Sequence, residues 1–182
     1  MTTRRSFLQK VSLASAAAFL SPSLVTTVLA ENAKVSKIGI GLFTLREQLT
    51  ADVKATIEQV AKIGYSQVET YYGYPGKYEV KGFWGLEAKD FNTLLKANGL
   101  TSPSGHYNVT EFLSSGDDKV LKSHIETAAT VGQKYFVIPA LPTDIRANGT
   151  LDDYKRMASK FNQAAELCQK SGLKLAYHNH NF

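Results

Sequence analysis

The apolar and polar positions of the chain follow a helical period in four separate segments. Each segment carries its apolar residues on one helical face and stops directly before a glycine. These predicted helices cover residues 51–63, 86–98, 117–131 and 151–171, and the glycines are Gly64, Gly99, Gly132 and Gly172. Glycine takes the left-handed conformation that ends a helix without steric cost, so each glycine marks a helix end.

An apolar stretch typical of a strand follows each of these glycines, and another one precedes the first helix. The predicted strands cover residues 37–45, 65–72, 100–108, 133–141 and 173–180. Strands that alternate with helices form a parallel sheet with right-handed crossovers. The pattern therefore predicts an α/β fold in the order β-α-β-α-β-α-β-α-β.

Such a sheet can close in two ways, as an open doubly wound sheet or as a (β/α)8 TIM barrel. A doubly wound nucleotide-binding domain has a glycine-rich turn after its first strand, but no glycine lies between Leu42 and Gly64. The helix-ending glycines recur at a spacing that suits the βα unit of a barrel, which repeats eight times over about 250 residues. We therefore predict an incomplete TIM barrel of about five strands and four helices, a fragment of a longer protein.

The first thirty residues have the features of an export signal. Residues 3–10, TRRSFLQK, match a twin-arginine motif, an apolar run follows over 11–20, and Val28-Leu29-Ala30 resembles a signal-peptidase site. We predict a twin-arginine signal peptide over 1–30, a barrel segment over 31–182, and a periplasmic or otherwise exported protein that meets the twin-arginine machinery. The alternative is an amphipathic first helix with two chance arginines. The apolar run is too short for stable membrane insertion.

Charge and cysteine content narrow the classes of partner. The chain has 21 basic and 16 acidic residues, a net charge of +5. Three of the basic residues, Arg4, Arg5 and Lys10, belong to the predicted signal, so the remainder carries about +2 and does not favour a nucleic-acid partner. Cys168 is the only cysteine, which excludes an internal disulfide, and its place among the apolar positions of a helix predicts a buried, inert thiol.

Polar residues at the ends of the predicted strands are the candidates for chemistry, because the active site of a barrel lies there. We predict Glu69 and His106 as catalytic residues, Arg46 and His180 as substrate-binding residues, and His178 as a metal ligand. Side chains two apart on a strand share a face, so His178 and His180 are expected about 6.6 Å apart along the strand. The alternatives are polar strand ends satisfied by water, and an ion pair between Glu69 and Arg46.

A glycine- and aromatic-rich loop begins at the end of the second predicted strand and covers residues 71–85. Its aromatic residues are Tyr71, Tyr72, Tyr74, Tyr78, Phe83 and Trp84. Aromatic rings stack on the apolar faces of sugars, so Tyr72 and Trp84 are predicted to bind substrate. The alternative is that the loop packs its aromatic rings into a small core of its own. His124, inside a predicted helix, is expected on the surface.

Five segments of the chain resemble the sugar phosphate isomerase/epimerase family, the xylose isomerase-like barrels, in its exported twin-arginine subset. They are IGIGLFTLRE, IGYSQVET, NGLTSPSGHYN, GQKYFVIPAL and GLKLAYHNHNF, and the resemblance spans residues 35–182. It implies a (β/α)8 barrel with a divalent metal ion at the carboxyl ends of the strands. His178 stands where the family usually has a glutamate, and strands six to eight, which supply the other ligands, are missing. A base in such enzymes removes a proton beside a sugar carbonyl.

Four functions remain open at this stage. The first is an exported sugar isomerase or epimerase acting on a free sugar or keto-sugar, of which this chain is the N-terminal part. The second is a keto-glycoside lyase or hydrolase-type activity on the same barrel, and the third is a non-catalytic sugar-binding or vestigial protein. The fourth is a DNA repair endonuclease on the same fold, against which the export signal and the low charge argue.

Overall fold

A computed structural model describes residues 37–76 and 79–180, which lie in one compact unit, Lys37–Phe182. The predicted signal peptide over 1–30 lies outside the described residues, as does Tyr78. The strands are β1 (Gly39–Gly41), β2 (Gln67–Tyr72), β3 (Thr101–Tyr107), β4 (Tyr135–Ile138) and β5 (Lys174–Tyr177). The α-helices are α1 (Arg46–Ala51), α2 (Val53–Ile63), α3 (Ala88–Ala97), α4 (Thr110–Ser115), α5 (Lys119–Val131), α6 (Thr143–Asn148) and α7 (Leu151–Lys170).

The five strands form one parallel sheet in the order β1-β2-β3-β4-β5, so every strand pairs with its neighbour in the sequence. Helices alternate with the strands, and the whole is a partial TIM barrel. This confirms the α/β fold class predicted from the glycine-marked repeat. Within residues 37–76 and 79–180, no helix is long and apolar enough to cross a membrane.

The four predicted helices correspond to α2, α3, α5 and α7, and glycines end them as expected. Gly64 and Gly132 are the C-cap residues that follow α2 and α5, with φ of 112° and 84°. Four short helical segments were not predicted: the 3-10 turn Leu42–Leu45 and helices α1, α4 and α6. The α-helices among them have six residues each, too few for an apolar period to show in the sequence.

The observed strands are shorter than the predicted ones, and this changes the position of two candidate residues. The first strand ends at Gly41, because Leu42 turns into the core as the 3-10 turn begins. The fifth strand ends at Tyr177, so His178 and His180 lie beyond it and not on it. The strand alternation used to place the two histidines on one face therefore does not apply to them.

Two apolar clusters hold the helices against the sheet. One lies beneath the first strands and includes Ile57, Val60, Val68, Phe91 and Leu95. The other lies beneath the last strands and includes Phe112, Leu121, Phe136, Ala164 and Cys168. Cys168 is fully buried and its burial raises the thiol pKa to about 12, which confirms the prediction of a buried thiol.

A buried polar group fastens three strands to one another. The side chain of Gln133, just before β4, donates from Nε2 to Thr70 Oγ1 at 2.8 Å and to Ser102 Oγ at 2.9 Å. The hydroxyl of Tyr107 donates to Gln133 Oε1 at 2.7 Å. Buried polar groups cost free energy unless they are paired, so this network fixes β2 and β3 against the start of β4. We call Gln133, Thr70, Ser102 and Tyr107 the glutamine clamp.

Candidate active site

Glu69 and His106 lie side by side near the carboxyl ends of β2 and β3. Nε2 of His106 is 3.3 Å from Glu69 Oε2, and the hydroxyl of Ser104 donates to Glu69 Oε1 at 2.7 Å. Residue 104 pairs with residue 69 across the strands, and residue 106 lies two positions further on the same face. The sheet register therefore brings together two predicted catalytic residues and a serine that the prediction omitted.

The two C-terminal histidines extend this pair into a row of imidazoles. The ring centroid of His178 is 4.9 Å from that of His106 and 4.6 Å from that of His180. The backbone N–H of His178 donates to the carbonyl of Ile138 at 3.0 Å, so β4 fixes the main chain at this position. We call Glu69, Ser104, His106, His178 and His180 the acid–imidazole row.

The environment of His106 favours its neutral form. Its ring is 17% exposed, and burial lowers its pKa below the usual value for histidine. The charge of Glu69 acts in the opposite direction, and the neighbouring His178 and His180 lower the pKa further. A carboxylate only accepts hydrogen bonds, so Nε2 is the nitrogen that carries hydrogen when it faces Glu69, which leaves Nδ1 as the proton acceptor.

The acid–imidazole row does not by itself fit a metal ion. No group of three or more His, Cys, Asp or Glu side chains within residues 37–76 and 79–180 converges on a point that could hold one. In most enzymes a divalent metal ion is held by at least three side chains of these types. The metal role predicted for His178 therefore stays a prediction, and it requires donors beyond those of the described residues.

A group of aromatic side chains stands beside the row, contributed by the 3-10 turn after β1, by β2 and by the loop after β2. Tyr71 packs edge to face on Phe43, Tyr74 and Trp84, with ring centroids 5.1, 5.4 and 5.4 Å away. The guanidinium of Arg46 lies 5.1 Å from the ring centroid of Phe43. We call Phe43, Tyr71, Tyr74 and Trp84 the aromatic wall. Burial, and after it the charge of Glu69, raises the pKa of Tyr74, which places the wall within electrostatic reach of the row.

Of the other predicted substrate-binding residues, Arg46 lies over the ring of Phe43 in the aromatic wall, whereas Tyr72 is turned away from the row. Tyr72 lies on the opposite face of β2 from Glu69, where its ring packs on Phe83, Tyr107 and His124 of the helix layer. In the described part of the chain, the ion pair of Arg46 is with Glu47 at 4.0 Å, while Glu69 pairs with His106. The alternative of an Arg46–Glu69 ion pair is therefore not what the structure shows.

His124 is buried, not on the surface as the sequence suggested. It is 7% exposed, and its ring packs edge-on against Tyr72 with centroids 5.2 Å apart. The sequence held a signal for this, since His124 lies three residues after Leu121 and four before Ala128, both of which are fully buried. Ser104 had a signal too, because it lies two residues before His106 in a strand.

The fold is an incomplete parallel βα barrel. A carboxylate, imidazoles and aromatic rings lie at the ends of its strands. The protein is therefore an α/β-barrel protein with a polar site at the carboxyl edge of the sheet. The model of the xylose isomerase-like TIM barrel family matches residues 57–182, which is more than half of the chain. The chain belongs to this family. None of the curated proteins matches the sequence.

Among solved structures, two are of sugar phosphate isomerase/epimerase proteins from Parabacteroides distasonis ATCC 8503. They share 27% and 26% identity, cover 80% and 79% of this chain and 55% and 51% of their own, and have TM-scores of 0.64 and 0.62. A structure of D-psicose 3-epimerase in the presence of D-fructose shares 19% identity, covers 79% of this chain and 54% of its own at a TM-score of 0.52, and shows the fold alone. The chain thus spans about half the length of the structures it matches.

Proposed function

We propose that this chain is the N-terminal part of an exported sugar isomerase or epimerase that transfers a proton at the carbon beside a sugar carbonyl. The observation that carries the proposal is the contact of His106 with Glu69, 3.3 Å apart at the strand ends of a xylose isomerase-like barrel. A base in hydrogen-bond reach of an acid partner is the arrangement that proton transfer requires.

Each residue of the site has a part in this proposal. His106, neutral because of its burial, accepts the carbon-bound proton at Nδ1, and the carboxylate of Glu69 stabilises the imidazolium that results. Ser104 holds the carboxylate by its 2.7 Å hydrogen bond. Protonation of the same carbon from its other face gives an epimer. Protonation of the neighbouring carbon, with transfer of its hydroxyl proton to the former carbonyl oxygen, gives an isomer. A divalent metal ion would polarise the substrate oxygens, but the described residues do not form its site, so no step is assigned to it.

The aromatic wall and the family support a proposal for the substrate class. Aromatic rings take the apolar face of a sugar ring, and the polar row beside them takes the hydroxyl groups. Among structures of the same fold, a D-allulose 3-epimerase from Methylomonas sp. is in complex with D-allulose, and a D-psicose 3-epimerase was determined in the presence of D-fructose; both sugars are keto-sugars. We propose an unphosphorylated keto-sugar as substrate, in keeping with the twin-arginine signal proposed over 1–30.

Deuterium exchange tests this proposal without knowledge of the product. The whole chain is incubated with D-fructose or D-allulose in D2O, with and without added divalent metal ions, and NMR follows the loss of the proton beside the carbonyl. We expect exchange that His106→Gln abolishes and Glu69→Gln reduces at least about tenfold. Glu47→Gln, which changes a carboxylate whose side chain is 86% exposed, is the control and keeps the wild-type rate.

A second function, sugar binding without turnover, is favoured by one observation: the described residues contain no cluster able to hold a metal ion. Calorimetry separates the two functions. Binding of either sugar without exchange in any metal supports the binding protein and overturns the enzyme. The absence of both binding and exchange overturns both proposals.

A further inference from the structure

His124 occupies a buried position directly below the point where the chain leaves β2 for the aromatic loop. The loop spans residues 73–86, and its first residue, Gly73, touches the imidazole so closely that an added Cβ would lie 2.5 Å from Cε1 and 2.9 Å from Nε2. Contacts this short do not occur between real atoms, so the imidazole and the loop backbone fill one space together. Within the described residues, Nδ1 of this ring has no hydrogen-bond partner.

The same imidazole also supports the far end of the loop. Its ring lies 5.2 Å from Tyr72, and Tyr72 in turn lies 5.0 Å from Phe83, which is fully buried. Phe83 closes the loop by exchanging backbone hydrogen bonds with Leu86 at 2.8 and 3.1 Å. His124 therefore contacts the loop at its start and, through one intervening ring, near its end.

Two members of the aromatic wall depend on the course of this loop. Tyr74 follows Gly73 directly, and Trp84 follows Phe83 directly. Trp84 has φ of 53°, a left-handed conformation that is sterically unfavourable for a residue other than glycine. Such a conformation persists only where the surroundings impose it, and here the buried Phe83 and the ring of Tyr71 are the surroundings.

We infer that His124 is a positioning residue, which holds both ends of loop 73–86 from the helix side of the sheet and thereby sets Tyr74 and Trp84 beside the acid–imidazole row. It does so by shape, without touching the site itself. Its consequence for sugar contact rests on the proposed function, whereas the placement of the loop does not. A failure of sugar binding and a failure of loop placement are therefore distinguishable.

The test uses Trp84, the only tryptophan of the chain, as a reporter of the loop. Acrylamide quenching of its fluorescence is measured in the whole chain at neutral pH for the wild type, His124→Ala, Gly73→Ala and the double variant. We expect each single variant to raise the quenching constant about twofold or more, because loss of the support or insertion of a methyl group frees the loop. Gly73 has φ of 73°, so an alanine there carries the same backbone strain in both backgrounds. The clash of its methyl group with the ring is relieved once the imidazole is gone, so Gly73→Ala has a smaller effect in the His124→Ala background than in the wild type.

Ile125→Ala is the matched control. Ile125 is the next residue of α5 and is 5% exposed. It belongs to the apolar cluster beneath the last strands, whereas Phe83 of the loop belongs to the cluster beneath the first strands, so truncation of Ile125 destabilises the same helix without touching the loop. The control should leave Trp84 quenching unchanged. Equal quenching in the control and in His124→Ala, or unchanged quenching in both His124→Ala and Gly73→Ala, overturns the inference. Where circular dichroism shows His124→Ala unfolded, His124→Leu, which fills the space without a planar ring, takes its place in the comparison with Ile125→Ala.

Discussion

The phenolic hydroxyl of Tyr107 donates to Oε1 of Gln133 at 2.7 Å, and both side chains are buried between sheet and helices. This bond is one arm of the glutamine clamp, whose other arms reach Thr70 and Ser102. Gly105 passes directly over the clamp, which leaves no space for a side chain there. The stability of the sheet therefore depends on the missing side chain of Gly105, a residue inside strand β3.

Gly105→Ala is expected to destabilise the protein by about 2–4 kcal/mol, through overpacking and the loss of buried hydrogen bonds. The new Cβ would lie 2.5 Å from Thr70 Oγ1 and 2.7 Å from both Nε2 and Oε1 of Gln133. Chemical denaturation measures the change in the free energy of unfolding. Gly41→Ala is the control, because a Cβ there meets no described atom within 4 Å, and equal losses in the two variants would contradict the account.

The stability of the protein should fall between pH 6.5 and about 4, in part because of His124. Burial lowers the pKa of this imidazole to about 4, with the Asn108 backbone opposing the shift in part. In this pH range the imidazole is protonated in the unfolded chain but stays neutral in the folded chain. The free energy of unfolding therefore decreases as pH falls, by up to about 3 kcal/mol.

His124→Phe keeps the aromatic shape and removes the titrating group. Its free energy of unfolding should depend less steeply on pH over the same range, while other groups contribute equally to both proteins. Denaturant unfolding at pH 7, 5.5 and 4.5 in wild type and variant gives the difference. Parallel curves for the two proteins would show that His124 is not responsible.

Thr150→Ala should lower the free energy of unfolding by about 1 kcal/mol, because it removes the N-cap side chain of helix α7. The Thr150 hydroxyl and the carboxylate of Asp153 form a reciprocal capping box, and these bonds lower the pKa of Asp153. Thr93→Ala serves as control, since Thr93 is exposed within α3 and its hydroxyl only bonds the carbonyl of Lys89. A loss for Thr93→Ala as large as that for Thr150→Ala would argue against a capping role.

The thiol of Cys168 should not react with a thiol reagent in the folded protein. It is fully buried, and burial raises its pKa to about 12, so the reactive thiolate is absent at neutral pH. Reaction with Ellman's reagent should be negligible in buffer and reach one thiol per chain in denaturant. Rapid labelling of the native protein would mean that α7 opens easily from the sheet.

Much of the fold was predictable because glycine marks the ends of the long helices in a purely local way. The conformation of Gly64 depends on its own missing side chain and not on distant contacts. The polar row was predictable in part, since Glu69, His106 and His178 all lie at strand ends. That His106 touches both Glu69 and His178 depends on the register and twist of the sheet, which no local pattern encodes.

Two side chains lie elsewhere than the sequence suggested, and each has a specific physical reason. Counting by twos along β2 from Glu69 leads to Tyr71, which is the residue in the aromatic wall, while Tyr72 falls on the helix side. His124 was judged by its polarity, although its position on the helix was that of a core residue. Both could have been corrected from periodicity, whereas the left-handed conformation of Trp84 had no sequence signal at all.

The strand order β1-β2-β3-β4-β5 has a consequence for folding during synthesis on the ribosome. Each strand finds its hydrogen-bonding partner in the segment synthesised just before it, about one βα unit earlier. Among the described strands, the sheet can therefore assemble in the order of translation, because each pairing closes only one βα unit of chain.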